Sequence, residues 1–455
     1  MLKGHSKIEL FDAKSRKRVH VQEKDNMVTN ALSKVYSCGI DGFSYLPFPM
    51  VGNTLGGILL FPNTLTEDVN NIYAPSTNYP VGYASNDVNY GTNIYRGSMN
   101  QIESGVIDNG YKFVWDFSTS QANGTISALS LTHKNGGANY YGNIDSTTID
   151  TIFPSVTYRQ SSETNSMVKL MNMMCIVEID ATNNIVYSIV PNYGTGKLTI
   201  KKFVANISSV HLNKGILYNI VSEDTVITPS VFLFKGGYSS VFNYSFLDGK
   251  DGYWYGFKGD GNTSGNASIV WIKIKKSDYT FTEGTWTLTN IHAYPLGCYA
   301  NLGSNNYTKR NQYCALRNGY LYFFNNEVVS GSSLSNGIYK LNISNTADIS
   351  LIQSSANLSA GEMVNINDII ICNKCIVDGN NIIHQTGGTI ELNGCQLCMS
   401  GVYGLSTSCY SNSTYNLTEQ YLRLITQYLA TINNIAPVTK TADKTMKITY
   451  TVTES

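Results

Sequence analysis

The chain reads as mainly β: an irregular β-propeller-like repeat domain inserted in a small α+β base domain built by both chain ends. Three observations lead there. The composition suits hairpins, with 32 Tyr and 39 Gly against 10 Pro in 455 residues; Tyr favours strands, and Gly favours the turns between them. A strand–loop–strand module recurs through the middle of the sequence. The two ends carry amphipathic segments too few to bury their own apolar faces, and pairing end with end solves that for both. The expected organisation is 1–105 as the N-terminal part of the base, 106–399 as the repeat domain, and 400–455 as a C-terminal helix and strand that complete the base.

In chain order, 7–12 (KIELFD) and 18–23 (RVHVQE) form a hairpin around a charged turn at 13–17. Asp25 caps a short helix whose stripe is Met27, Val28, Ala31, Leu32, Val35 and Tyr36. Residues 57–61 (GILLF) are a fully apolar strand stopped by Pro62, and 64–101 read as polar loops with a few short strands. The module's copies are 111–133, 184–204, 252–276, 319–344 and 380–393, with 215–221 (GILYNIV) as a further first strand. Irregular spacing leaves about five to seven blades, and a β-sandwich or a prism of hairpins is the alternative. The first copy, YKFVWDFSTSQANGTISALSLTH, alternates Tyr111, Phe113, Trp115 and Phe117 with more polar positions. It then turns at 118–124 and returns through Ile126, Leu129 and Leu131, a hairpin marking where base gives way to repeats. At the C-terminus, Asn416 and Glu419 have capping-box spacing ahead of a helical stripe of Leu417, Tyr421, Leu424, Ile425, Tyr428, Leu429 and Ile432. Pro437 follows, and 444–454 alternate Met446, Ile448, Tyr450 and Val452 with polar residues, a strand wet on one face.

Charge restricts the partners. Only 14% of residues are charged, and Lys+Arg balances Asp+Glu at 32 each. That argues against nucleic acid and against anionic lipid, both of which select a basic face. No apolar run nears the roughly 18 residues of a membrane helix, and the basic N-terminus lacks the apolar core of a signal peptide. The expectation is a product made in a cytoplasm, without membrane insertion; the Asn-x-Ser/Thr sequons at Asn123, Asn243 and Asn342 are then chance in an Asn-rich chain.

The most site-like pattern is Cys372-x-x-Cys375 followed by Cys395-x-x-Cys398. About 19 residues separate the pairs, within the spacing of paired zinc knuckles. Four thiolates would close the shell, so any zinc is structural. Against it, 369–371 and Ile376 suggest one strand running through the first pair, which would turn its thiols to opposite faces. Ordinary buried thiols are therefore the first reading, structural zinc the second and a disulfide the third, with nine Cys an odd number for a disulfide framework. No cofactor is required. The acidic turns at 248–252 and 258–262 resemble fragments of a calcium loop without its closing Glu, and 192–197 lacks phosphate-loop spacing; hairpin turns account for all three. No His-Glu-x-x-His or Gly-x-Ser-x-Gly is present, and no catalytic residue stands out. Trp115, Trp254, Trp271 and Trp286 are packing residues by default. Tyr253, Trp254 and Tyr255 are the carbohydrate-stacking candidates, because a strand turns their rings to both faces.

The blocks KIELFDAK…EKDNMVTNAL, GGILLF, 111–133 and INNIAPVTKTADKTMKITYTVTE resemble virion proteins of tailed phages that infect Firmicutes, a group labelled tail, tail-fibre or minor structural protein. The resemblance lies mainly in the chain ends. It implies a virion location, homo-oligomerisation, and contact with other virion proteins; it brings no catalytic residue. The functional expectation is a non-enzymatic tail-tip or tail-fibre protein that attaches to a host cell-surface protein or glycan. A purely architectural collar, neck or head-fibre component and a cell-wall polysaccharide-degrading enzyme are the alternatives.

Overall fold

The computed structural model describes residues 2–32, 55–134, 156–161, 176–180, 183, 185–192, 195–204, 222–233, 244–259, 265–297, 307–308, 312–326, 334–372, 374–385, 398–400, 403–411, 415–424 and 428–454. The regular structure of the described residues is nearly all β, with 62% in strands and 1% helical, and it has a four-blade propeller-like arrangement.

Ten strands form the base: β1 (Leu2–Asp12), β2 (Arg18–Val28), β3 (Leu55–Phe61), β4 (Gly82–Ala84), β5 (Ser98–Met99), β6 (Gly105–Ile107), β7 (Gly110–Phe117), β8 (Gly124–His133), β30 (Thr431–Lys440) and β31 (Lys444–Glu454). Their order is β4-β3-β8-β30-β2-β1-β31-β7-β5, with β6 also on β7. The two ends of this path meet. Tyr83 on β4 bridges Arg96, just before β5, and Tyr83 N donates to Tyr95 O at 2.9 Å while Gly97 N donates to Tyr83 O at 2.8 Å. The sheet therefore closes into a barrel, which removes exposed edges. Inside it Ile8, Leu10, Phe113, Trp115, Phe117, Ile126, Leu129, Leu131, Met446, Ile448, Tyr450 and Val452 form one core. Trp115 spans the interior, its Nε1 donating to Gly56 O at 3.2 Å and Ser85 O at 3.1 Å. A bulge at 55–57 frees that carbonyl. It needs glycine twice over: Gly56 has φ +136°, and a Cβ on Gly57 would lie 2.2 Å from His133 O.

Both chain ends build this base, as their amphipathic patterns predict. Two expectations about it are corrected. Residues 111–133 are not a hairpin opening the repeats. They are β7 and β8, separate staves of the barrel: β7 pairs with β31, β5 and β6, and β8 with β3 and β30. The 118–123 turn, mostly at the surface, leads the chain from one stave to the other. The base thus reaches residue 133, past the expected boundary at 105. The helical elements are also replaced. Residues 415–424 are strand β29 (Tyr415–Leu424), bonded on both edges, and Ile432 lies in β30. Tyr and Thr at 415, 418 and 421 satisfy strand propensity as well as the apolar residues satisfy a helical stripe, and two waiting strand neighbours decide between them. At the other end Met27 and Val28 extend β2, and 30–32, the last described residues of this stretch, are helical, with Ala31 and Leu32 buried; Val35 and Tyr36 lie outside the described residues. No helix among the described residues is long and apolar enough to cross a membrane.

Four antiparallel meanders follow. Blade 1 is β10 (Ile176–Asp180), β11 (Ile185–Asn192), β12 (Lys197–Val204) and β13 (Ser222–Ile227). Blade 2 is β14 (Tyr244–Asp248), β15 (Tyr253–Lys258), β16 (Asn266–Lys275) and β17 (Phe281–Thr289). Blade 3 is β19 (Cys314–Arg317), β20 (Tyr320–Phe324), β21 (Leu334–Asn342) and β22 (Ile349–Ser359). Blade 4 is β23 (Met363–Ile366), β24 (Ile369–Cys372), β25 (Cys375–Val377) and β26 (Ile383–Gln385). Their first strands touch in series, β10 to β14 to β19 to β23. Each interface has its own apolar core: Ile189, Ile200, Phe246, Trp254 and Ile272 between blades 1 and 2; Phe257, Ile269, Leu316, Leu321 and Phe323 between 2 and 3; Tyr322, Phe324, Ile370, Cys372 and Val377 between 3 and 4. Blade 4 then packs Ile369, Ile371 and Ile376 on Leu59, Phe61, Ala128 and Leu429 of the base, which is why β3 and β8 are buried on both faces.

A fifth sheet gathers β9 (Val156–Ser161), β18 (Tyr307–Thr308), β27 (Cys398–Ser400), β28 (Tyr403–Ser411) and β29 from three distant stretches. The expected copies at 184–204, 252–276 and 319–344 are the middle hairpins of blades 1 to 3. The copy at 380–393 instead supplies β26, the last strand of blade 4, and 215–221 lies outside the described residues.

Candidate functional site

The carbohydrate candidates are largely interior. Trp254 has 0% exposure and wedges between blades 1 and 2, against Tyr187 and Tyr279, with Nε1 donating to Glu178 Oε2 at 2.7 Å. It offers no face to a sugar. Tyr255 is 5% exposed and donates its hydroxyl to Asp251 Oδ2 at 2.7 Å. Tyr253 is half-buried beneath the Lys273 ammonium, 4.0 Å from its ring centroid. The neighbouring acidic turn is a hairpin turn, as its spacing suggests: Asp248 Oδ1 accepts from Lys250 N at 2.8 Å and Asp251 Oδ1 from Tyr253 N at 3.2 Å. Lys276 closes a polar junction between the blades, 2.8 Å from Glu178 and 2.7 Å from Asp248. Burial pushes the Asp248 carboxyl up, but hydrogen bonds from Lys250 and Lys276 outweigh it and hold it below the ordinary carboxylate range.

The first cysteine pair departs from the expected continuous strand. Cys372 ends β24 and Cys375 begins β25, with Ile371 paired to Ile376. The hairpin puts both thiols on the blade 3 side, in one apolar cluster, at 0% and 1% exposure. Burial, then the Cys375 contact, pushes the Cys372 thiol well above its ordinary value. Both are free thiols. Cys398 lies on β27 in a different sheet, and Cys395 lies outside the described residues. The described residues therefore supply one co-facial pair, shielded from solvent. Among them, no cluster of three or more His, Cys, Asp or Glu is arranged to hold a metal.

Two polar clusters carry no sequence signature. Asp378 Oδ2 meets His384 Nε2 at 2.9 Å, Oδ1 accepts from the Asn380 and Ile382 amides at 2.9 Å each, and Tyr79 stacks on the imidazole at 3.4 Å. Beside it Arg317, 4% exposed, donates to Asp368 O, Asp378 O and Asn381 Oδ1, each at 2.7 Å. These groups join blade 4 to blade 3 and to the base loop at 75–80; they are architecture.

Among the described residues, a concave site lies on the outer face of the barrel. A cavity of about 480 Å³ is lined by Phe11, Asn89, Ser98, Asp116, Ser118, Gln121, Thr445 and Lys447, with Phe117 and Met446 at its floor. Strand register explains the grouping: Phe11 is opposite Thr445, and Lys447 and Ser98 flank Asp116 on either side. Strand alternation turns Phe113, Trp115 and Phe117 inward, so Asp116 and Ser118 face out beside Lys447. Asp116 Oδ2 accepts from Asn100 Nδ2 at 2.9 Å, and Lys447 is held at 2.5 Å by Glu103. That hydrogen bond is the main cause that lowers the Glu103 carboxyl and raises the Lys447 ammonium from their ordinary values. The turn of 111–133 thus lines the cavity. Its residues come from five separate stretches, and no motif joins them.

No family model matches this chain, and no curated protein matches it.

Proposed function

We propose that this chain is a structural appendage protein of a tailed-phage virion, at the tail tip or in a tail fibre, that attaches to the bacterial cell surface without catalysis. One observation carries the reading. The blocks that resemble phage virion proteins are scattered from residue 7 to residue 454, yet all of them contribute to the base barrel, while the blades are inserted between β8 and β30. A shared base with an inserted variable domain suits a protein docked on a particle and facing outward. Its partners are then other virion proteins and a host-surface protein or glycan, and virion symmetry makes it a homo-oligomer.

Immunogold labelling of purified particles with antibody to this chain tests the location; label on the tail is expected, and unlabelled particles overturn it. Saturable binding of the purified chain to Firmicute host cells tests attachment. Labelled particles with no cell binding favour the architectural role, and release of reducing sugar from wall polymer favours the enzyme.

A further inference from the structure

We infer that the outer-face cavity of the base barrel binds a short neutral saccharide. The source of that sugar, a cell-surface glycan, rests on the attachment reading; the chemistry of the cavity does not. Its volume, about 480 Å³, falls in the roughly 300–1,000 Å³ range of small-molecule sites. Its lining combines what a sugar ring presents. Vicinal hydroxyls both donate and accept, and Asp116 is an acceptor whose Oδ1 has no partner among the described residues. Gln121 spends Oε1 on the Ser118 amide at 2.8 Å, which leaves its Nε2 as a donor. The Ser98 hydroxyl accepts from Asn89 N at 3.0 Å and keeps its own proton to donate. The C–H face of a sugar ring is apolar, and Phe11 supplies a half-buried aromatic wall on the same sheet face.

Charge selects the class. The lining holds one carboxylate, Asp116, and one ammonium, Lys447, on neighbouring strands in direct register. Lys447 is already engaged by Glu103, so the site carries one net negative charge and no uncompensated cation. A phosphate-rich polymer would need an uncompensated cation, whereas a neutral polyhydroxyl ligand needs none. The site is also stiff. It spans β1, β31, β7 and β5, and Phe117 and Met446 beneath it belong to the barrel core.

The test is saturation-transfer NMR on the full chain with methyl glycosides of glucose, galactose, mannose and N-acetylglucosamine, and with glycerol phosphate as the charged probe. Transfer to at least one neutral glycoside is expected, weakened tenfold or more in Asp116→Ala and Gln121→Ala and unchanged in Tyr253→Ala. If Asp116→Ala fails to fold, Gln121→Ala, on an exposed turn, decides. No transfer from any neutral glycoside, binding by both variants equal to that of the unaltered chain, or preference for glycerol phosphate overturns the inference. Cell binding without glycoside binding refutes the cavity and leaves attachment standing. Glycoside binding by a chain that neither labels particles nor binds cells does the reverse.

Discussion

The base barrel and the blades are both antiparallel β, yet they are assembled on opposite principles. In each blade every strand bonds to its neighbour in sequence. In the barrel β1 bonds to β31 and β8 to β30, contacts spanning most of the chain. Local meanders close short loops and form early; the barrel is incomplete until the last strand arrives. The difference teaches that the chain's two ends are the keystone of the base, while the inserted blades hold themselves together interface by interface.

Removing β31 is the most severe way to break that comparison. It lies between β1 and β7 and carries Met446, Ile448, Tyr450 and Val452 into the core. Truncation before residue 444 is expected to abolish amide protection in the other base strands and leave the central strands of blades 1 to 3 protected in hydrogen exchange. Collapse of blade protection as well would show that the blades depend on the base.

Next come the two buried tryptophans. Trp115→Ala is expected to cost about 3–5 kcal/mol in denaturant unfolding, as large core truncations do. Trp254→Ala is expected to cost a similar amount and leaves Glu178 with Lys276 but without the indole donor, and its effect on hydrogen exchange should stay within blades 1 and 2. A W254A variant that loosens β7 or β31 would refute independent interfaces.

Acid separates the regions more gently. His133, fully buried in the barrel, is pushed down to about 3, first by burial and then by the Lys134 charge. Between that value and the unfolded pKa of about 6.5, the unfolded chain binds a proton that the folded chain refuses. Its stabilising contribution is complete above about pH 6.5 and falls by up to about 1.4 kcal/mol per pH unit below it. Asp248 runs on a lower window. Its folded pKa lies below 3.8, so its contribution is present above the unfolded value and lost only as pH falls through the folded one. Denaturant melts at pH 7, 6 and 5 should show the base softening first, and His133→Gln should flatten that slope; a blade signal that moves between pH 7 and 5 while the base does not would reverse the assignment.

The smallest expected effect is at the cysteines. Cys314, Cys372 and Cys375 are buried and should resist alkylation in the native protein but react after denaturation, read residue by residue by mass spectrometry. Metal analysis of the purified chain and of Cys372→Ser and Cys375→Ser decides zinc: bound metal lost in both variants supports a knuckle completed from beyond the described residues, and metal-free wild type removes it.

Much of the architecture was legible because alternation is local. The 444–454 stretch announced a strand with one wet face through Met446, Ile448, Tyr450 and Val452, and that is how β31 sits. The repeats at 184–204, 252–276 and 319–344 announced blade hairpins. Residues 111–133 announced two strands but not their partners, because backbone hydrogen-bonding edges look alike on every strand. Residues 417–432 fitted a helical stripe and a strand equally well. Trp254 fitted a stacking platform until blade 1 covered it, and the outer-face cavity had no motif because Phe11, Ser98, Asp116, Gln121 and Lys447 are distant in sequence.

By itself, then, the sequence determined most of the strands, the turns and the apolar faces, since each depends on residues within a few positions, and with them the need of the two ends for each other. Only the tertiary structure decided which strands pair, that β7 and β8 belong to the barrel, that Cys372 and Cys375 share a face, and where a cavity opens. Those follow from register and closure, which no single segment encodes.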